Sequence, residues 1–580
     1  MIGGVMDKTL QRELYRRLEQ TPERHALTYI NNRGEFTWRT LEEVCRQAAG
    51  YSPILKELGL GRGDVCILAL PSGAFCATLL IGTLLLGAVP LLVAPPIIQL
   101  KGRYSNLTQV LRHMIRKTKP KIVIVPKAMM DRREELENGL KKTRIIFEEE
   151  GLSPDLSAEI PRTVPAESDI AAMQLTSGTT GFPRVCVWQQ KNVIAALDGI
   201  AMAMDVNQED ICLNWTPLYH DMGLVNNFLL CLTKGVPLAM LNPIDFVNKP
   251  ALWLRGLSDT DSTITWSPNF GFAITAEIVR DEQIEGVRLD RVRAFWNAAE
   301  RIHIETMHTF YKRFASFGLH RDSLKTNYGC AENIGGATFS DPHGPIVVEQ
   351  VDEIMLQQKG IAHPVIQPGE GQQVVQVVGV GRPYPGMEIE ILSQKGRLLP
   401  DGQVGELALK TPSRMSGYLG QALETRRALF GDLLRTGDLG YKRGNELFWV
   451  GRLRERITTL GKKLDPSDFE RVLLRIPNLR HGCFAVFGVD DAQIGTQRVV
   501  VVSEVRDVTL RSPREIVHDI QSQIFLQLGV KVHDVVLLPK DTLTKTSSGK
   551  RRHRYFRQRY LSGELQLLRL GDKEKEEPSH

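Results

Sequence analysis

The stretch Leu175-Thr176-Ser177-Gly178-Thr179-Thr180-Gly181-Phe182-Pro183-Arg184 gathers hydroxyl side chains and glycines into one short run that ends in a cation. Glycines let backbone N–H groups come close to an anion, Ser and Thr hydroxyls add donors, and Arg184 adds fixed positive charge. The chemistry is phosphate binding, and the ligand it predicts is a nucleoside triphosphate. A Walker-type P-loop is excluded, because Gly181 is followed by Phe182 and Pro183 rather than by Lys and Ser or Thr. Standing alone, the run would equally serve as a polar turn between two strands.

It does not stand alone. Pro217-Leu218-Tyr219-His220-Asp221-Met222-Gly223, Tyr328-Gly329-Cys330-Ala331-Glu332, Thr436-Gly437-Asp438, Gly451-Arg452 and Lys545-Thr546-Ser547-Ser548-Gly549-Lys550 follow in that order. Together these motifs resemble the adenylate-forming superfamily of acyl-CoA synthetases, peptide-synthetase adenylation domains and luciferases. The run from Tyr219 to Gly223, and the C-terminal run from Thr546 through Arg559-Tyr560-Leu561, look most like fatty-acyl-AMP ligases. Residues 351–362 are similar to the region where those ligases carry an insertion associated with not using coenzyme A.

The resemblance implies a role for each matching residue. Lys550 corresponds to the mobile lysine that bridges the substrate carboxylate and the α-phosphate, and His220 to the gate beside that carboxylate. Thr176, Ser177, Gly178, Thr179, Thr180, Gly181 and Arg184 would bind the ATP phosphates, and Glu332 would help to hold Mg²⁺. Tyr328 and Gly329 would face adenine, while Asp438 would accept hydrogen bonds from the ribose hydroxyls with Arg452 reinforcing it. Ala299 and Glu300 correspond to a Gly-Ala-Glu segment near adenine, with Ala298 where glycine is usual. Arg454 falls at the domain hinge. ATP and Mg²⁺ are therefore the expected cofactors. These residue types suit the chemistry, because a carboxylate attacking a phosphate needs two anions held together by positioning and charge neutralisation.

The elements that must position these residues read as α/β. Short β-branched runs such as residues 65–70 and 121–125 alternate with helical stretches such as residues 41–58, the pattern of buried parallel strands with crossover helices. The expected architecture is a large N-terminal domain of parallel-type α/β subdomains over residues 1–450. It includes a small β-rich subdomain from about 374 to 450, punctuated by Lys395-Gly396 and Asp401-Gly402 turns. A smaller mobile C-terminal α+β domain over 451–570 would carry Lys550, and the charged residues 571–580 would form a disordered tail. Gly379-Val380-Gly381 begins like a dinucleotide fingerprint, but Pro383 and Tyr384 break it.

Composition sets outer limits. The 580 residues, 42% hydrophobic with a formal charge of +6, imply a globular protein of more than one domain and exclude nothing by charge alone. Eight scattered cysteines without a CxxC pair disfavour zinc and disulfide frameworks and fit a reducing cytoplasm. Residues 1–17 lack an apolar signal core and read as an amphipathic first helix. Residues 74–94 are apolar over about the length of a membrane span, but Gly82, Gly87, Pro90, Pro95 and Pro96 break them. A buried helix near 74–86 and a buried strand near 89–93 are expected instead, and no transmembrane segment.

The acid substrate is expected to be fatty or related, with Phe228, Trp266 and Phe270 lining its pocket. Asn226 and Asn227 replace small glycines there and would narrow or polarise it. The basic run Lys540, Lys545, Lys550, Arg551, Arg552, Arg554, Arg557 and Arg559, interleaved with Tyr555, Phe556 and Tyr560, reads as a docking face for an acidic acyl carrier protein rather than for nucleic acid. Two rivals share the adenylation motifs: an acyl-CoA or aryl-CoA synthetase, and a catalytically inactive acyl-nucleotide-binding relative.

Overall fold

Short apolar strands bracketed by helices fold into two largely parallel sheets, of seven and nine strands, in the computed structural model. The structure describes residues 8–95, 104–138, 143–148, 152–176, 183–459, 462–491, 496–507, 509–546 and 550–565. The seven-stranded sheet runs in the order Gly417–Tyr418, Val185–Gln189, Ile170–Leu175, Val89–Leu92, Val65–Leu68, Ile122–Val125, Arg144–Phe147. The last five of these strands are parallel. Ile170–Leu175 and Val185–Gln189 are instead antiparallel, and the chain between them is the Gly/Thr run.

In the nine-stranded sheet, Ile264–Pro268, Ala294–Ala298 and Leu324–Cys330 lie side by side and parallel. Their carboxyl ends carry Pro268, Ala298 and Cys330 to one edge, the usual place for a ligand on an α/β sheet. The apolar stretch at 74–94 resolves into the helix Ala74–Leu85 and the buried strand Val89–Leu92. No helix among the described residues is long and apolar enough to cross a membrane.

Two sequence expectations need correction. The helical stretch over 41–58 is two helices, Leu41–Ala49 and Ser52–Glu57. Gly50 ends the first, and Pro53, which has no N–H to donate, is tolerated only because a new first turn starts there. The β-rich texture also starts upstream of 374, because Val374–Val378 pairs back onto Val348–Asp352. Beyond it, Glu388–Leu392, Gly405–Lys410, Leu429–Phe430, Leu433–Arg443 and Glu446–Arg452 form an antiparallel five-stranded sheet.

From Ile457 onward the chain builds cores of its own. Phe469, Leu473, Val501 and Ile520 are fully buried together, and Phe487, Val500 and Phe556 form a second cluster. Ion pairs among the described residues that join this part to the rest of the chain include Arg301 with Asp468 at 2.9 Å and Arg471 with Glu353 at 3.5 Å. Residues 355–359, inside the segment similar to the ligase insertion, form one π-helical turn against the strand Lys462–Leu464.

The false dinucleotide fingerprint has a packing explanation. Gly381 sits at φ +90°, and a Cβ there would lie 1.9 Å from the Phe339 carbonyl carbon. Gly381→Ala is expected to lower the unfolding free energy by about 3 kcal/mol or more, from left-handed strain plus the clash. A urea titration checks this, and a loss below about 1 kcal/mol would contradict the packing argument.

Candidate active site

The two ends of the Gly/Thr run are tied together. Thr176 N–H donates to the Arg184 carbonyl at 2.9 Å, and Arg184 N–H donates to Thr176 Oγ1 at 3.1 Å. Ser177, Gly178, Thr179, Thr180 and Gly181 lie outside the described residues. Arg184 reaches toward Glu332, with Nη2 3.7 Å from Oε1, so the end of this run and the end of the Tyr328–Glu332 motif meet. The C-terminal motif is closed in the same way: Lys550 N–H donates to Thr546 Oγ1 at 2.9 Å, and Thr546 N–H to the Lys550 carbonyl at 2.8 Å. In both loops a threonine hydroxyl fixes the backbone of the cation that the loop presents.

Opposite Glu332, Asp438 is 7% exposed and receives the Tyr328 hydroxyl on Oδ2 at 2.8 Å, while Arg452 Nε stands 3.3 Å from Oδ1. The last pair follows from register, since Asp438 lies directly across from Arg452 in neighbouring antiparallel strands. Gly329 lets the antiparallel strand Gly335–Phe339 pack close, because a Cβ would meet the Gly335 carbonyl oxygen at 2.4 Å. Lys550 lines the same cleft as Glu332, Asp438 and Arg452, and with the last two it also lines the adjoining pocket that holds Tyr328. Burial and the nearby Arg452 charge push the Lys550 ammonium below the usual lysine range, with Asp221 and Asp438 opposing them.

His220 begins the short helical turn Asp221–Gly223 and also lines the cleft. Its Nδ1 stands 2.8 Å from Asp221 Oδ1 and 3.2 Å from Met222 N, and Met222 N also lies 2.9 Å from that carboxylate oxygen. Burial alone would raise the Asp221 carboxyl, but His220 and Lys550 hold it below the usual range.

Ala299 adopts φ +72°, so the left-handed position in this segment is Ala299 and not its neighbour Ala298. Glu300 Oε1 accepts from Phe270 N–H at 2.6 Å, and burial raises its carboxyl. Arg454 is exposed in the turn after Glu446–Arg452 and lies at the cleft mouth.

The expected acyl pocket divides. Phe270 lines the cleft beside Trp215, Ile244 and Val247. Phe228 and Trp266 are buried in the core instead, the latter stacked on Trp296 with ring centroids 5.4 Å apart. Asn227 is also turned inward, donating to the Met222 carbonyl at 2.8 Å, so only Asn226 can polarise the cleft. Sequence reasoning missed Arg301, which binds Ser467 Oγ at 2.6 Å, and Tyr418, which binds Glu332 Oε1 at 2.6 Å. Neither carries a motif signal beyond its place next to Glu300 or Gly417.

The description AMP-binding enzyme belongs to the family model that matches residues 14–419. The chain belongs to this AMP-binding enzyme family. Among its relatives, the AMP-binding enzyme is 28% identical to the medium-chain fatty acid–[acyl-carrier-protein] ligase of Moorena producens, over 93% of both chains. It is also 28% identical to the 4-hydroxyphenylalkanoate adenylyltransferase of Mycobacterium marinum, over 96% of this chain and 92% of that one. A solved structure from studies of the fatty acyl-adenylate ligases of E. coli and L. pneumophila superposes with a TM-score of 0.87 at 25% identity, covering 96% of this chain and 98% of that one.

The Tyr328 hydroxyl gives Asp438 a charge-assisted bond that a phenylalanine would remove without loss of the ring. Tyr328→Phe is expected to weaken AMP binding by about 1–2 kcal/mol, roughly tenfold, as measured by calorimetric titration. Unchanged affinity would mean that Arg452 alone orients Asp438.

Proposed function

We propose that this AMP-binding enzyme activates a fatty or related carboxylic acid with ATP to an acyl-adenylate, releasing pyrophosphate. The acyl group then passes to the phosphopantetheine thiol of an acyl carrier protein. The observation that carries the reading is a single cleft lined by Arg184, His220, Glu332, Asp438 and Lys550, which come from five separate stretches of the chain.

In this reading Tyr328 and Gly329 face adenine, Asp438 and Arg452 hold the ribose, and Arg184 neutralises phosphate charge with its Thr176-clamped loop. The acid enters past His220 along Phe270. An oxygen of its carboxylate attacks the α-phosphorus, and the bond from that phosphorus to the pyrophosphate oxygen breaks. Both reactants are anions, so the Lys550 ammonium between them is the group whose interaction grows most as they approach. Glu332 suits Mg²⁺: it is one hard oxygen donor, 15% exposed, and no cluster of three metal-binding side chains is found among the described residues. Such a donor set fits an ion that takes its other ligands from phosphate and water, and the ion supplies charge neutralisation when bound.

We assign residues 1–450 to a large domain and 451–570 to a lid that turns about Arg454. The separate cores from Ile457 onward and the Arg301–Asp468 pair across the junction support that division. The carrier-protein acceptor is supported by the name of the Moorena relative and by Arg454, Arg552 and Arg554 at the cleft mouth. Arg557 is a poorer docking residue than its sequence position suggests, because its guanidinium already binds the Gly488 carbonyl and Asp490. All eight cysteines are free thiols, seven of them buried, which agrees with a cytoplasmic setting.

ATP–pyrophosphate exchange over acids of different length, followed by offering coenzyme A or a phosphopantetheinylated carrier, tests the reading. Lys550→Ala is expected to reduce exchange by about a hundredfold or more while AMP affinity changes only a few-fold. Exchange at wild-type rate would overturn the assignment, and acyl transfer to coenzyme A alone would make the protein an acyl-CoA synthetase.

The lowered proton affinity of Lys550 has a sign that can be checked. The ammonium is the active form, so kcat/KM for adenylation falls as pH rises through its pKa in the free enzyme. That alkaline limb is expected below the ordinary lysine value of about 10.4. Lys550→Arg should move the limb to higher pH; an unmoved limb assigns it to another group.

A further inference from the structure

The segment 415–419 lies between the two motifs that meet at Arg184 and Glu332. Met415 N–H donates to the Glu332 carbonyl at 2.8 Å, Ser416 N–H to the Val187 carbonyl at 2.8 Å, and Leu419 N–H to the Val185 carbonyl at 2.9 Å. Gly417 and Tyr418 pair with Val187 and Cys186 at the edge of the seven-stranded sheet. Tyr418 is pinned further by its N–H, which donates to Thr425 Oγ1 at 2.9 Å.

The Tyr418 side chain, 6% exposed, repeats that bridge in its own chemistry. Its hydroxyl donates to Glu332 Oε1 at 2.6 Å, and the Arg184 guanidinium carbon stands 4.1 Å from the centre of its ring. Arg184 and Glu332 remain 3.7 Å apart at their nearest nitrogen and oxygen, too far for a hydrogen bond. Left alone, an arginine and a carboxylate at this distance would close into a bidentate pair and cancel each other's charge. The tyrosine blocks that outcome twice, by occupying Oε1 and by holding the guanidinium flat on its ring. Among the described residues no hydrogen bond reaches Glu332 Oε2.

We propose that Tyr418 is a positioning residue that keeps Glu332 and Arg184 apart, so that the carboxylate is ready for a metal ion and the guanidinium for phosphate. The inference rests on the reading of Glu332 as the residue that addresses Mg²⁺. It extends that reading to a residue outside the phosphate-binding motifs, and it makes metal affinity and nucleotide affinity separable through one side chain. Removing the hydroxyl should affect the carboxylate alone, while removing the ring should affect the arginine as well.

The test uses the full chain with Mn²⁺ as the metal probe, titrated into the enzyme–ATP complex and followed by the loss of free Mn²⁺ signal in electron paramagnetic resonance. Binding of ATP in the presence of EDTA is measured in parallel. Tyr418→Phe is expected to weaken Mn²⁺ binding about tenfold, the size typical of losing a hydrogen bond to a charged group, and to leave metal-free ATP affinity within about twofold. Tyr418→Leu should weaken both, and Glu332→Gln should weaken Mn²⁺ binding whatever stands at 418. Wild-type Mn²⁺ affinity in Tyr418→Phe, with the loss retained in Glu332→Gln, would overturn the role of Tyr418 and spare the metal assignment. Wild-type Mn²⁺ affinity in Glu332→Gln would overturn the metal assignment, and the role of Tyr418 with it.

Discussion

Opposite charges are buried together in this cleft without being allowed to annihilate. Arg184, Arg452 and Lys550 face Asp221, Glu332 and Asp438. The Glu332 and Asp438 side chains are 15% and 11% exposed, so solvent screens them only in part and a cation free to move would pair with them. Each of the three carboxylates is therefore held by a neutral or backbone group as well: Asp438 by Tyr328, Glu332 by Tyr418, Asp221 by Met222 N–H. A site made this way keeps its charges available for a ligand, the condition that the proposed adenylation needs.

The fold serves the same constraint. Parallel strands of the nine-stranded sheet deliver the Ala298–Glu300 and Tyr328–Glu332 segments to one edge, and an antiparallel hairpin of the other sheet brings Arg184 across from them. The five-stranded sheet adds Asp438 and Arg452 in register, so one pair of strands fixes both the acid and the base of that contact. Lys550 arrives last, from the far end of the chain, on a loop whose base is closed by Thr546. Ion pairs such as Arg301 with Asp468 hold the C-terminal residues against the cleft, and a pair of that kind, partly exposed and reversible, suits the lid motion proposed above.

On the acyl side, residue type alone does not tell which residues line the cleft. Large apolar residues near a suspected pocket fill core more often than they line a ligand, and Phe228 and Trp266 did so while Phe270 did not. Asn226 and Asn227 differ for the same reason: successive positions on a helical turn point in different directions, so one meets the cleft and the other the Met222 carbonyl.

The family resemblance singled out the charged groups from Glu332 to Lys550, while the α/β alternation and the phosphate-binding character of the run ending in Arg184 were legible from the residues themselves. Local chemistry dictates them: glycines where backbone must approach an anion, cations where two anions must meet, β-branched runs where strands are buried on both faces. Residues 41–58 break at Gly50 for a local reason, a proline that must start a new first turn. Tertiary structure alone decided that Tyr418 and Arg301 belong to the site and that Ala299 takes the left-handed turn. Those features depend on contacts between residues far apart in sequence, or on a clash that appears only once two strands pack. No local pattern encodes them, since a tyrosine after a glycine reads the same whether its hydroxyl meets water or the carboxylate of Glu332.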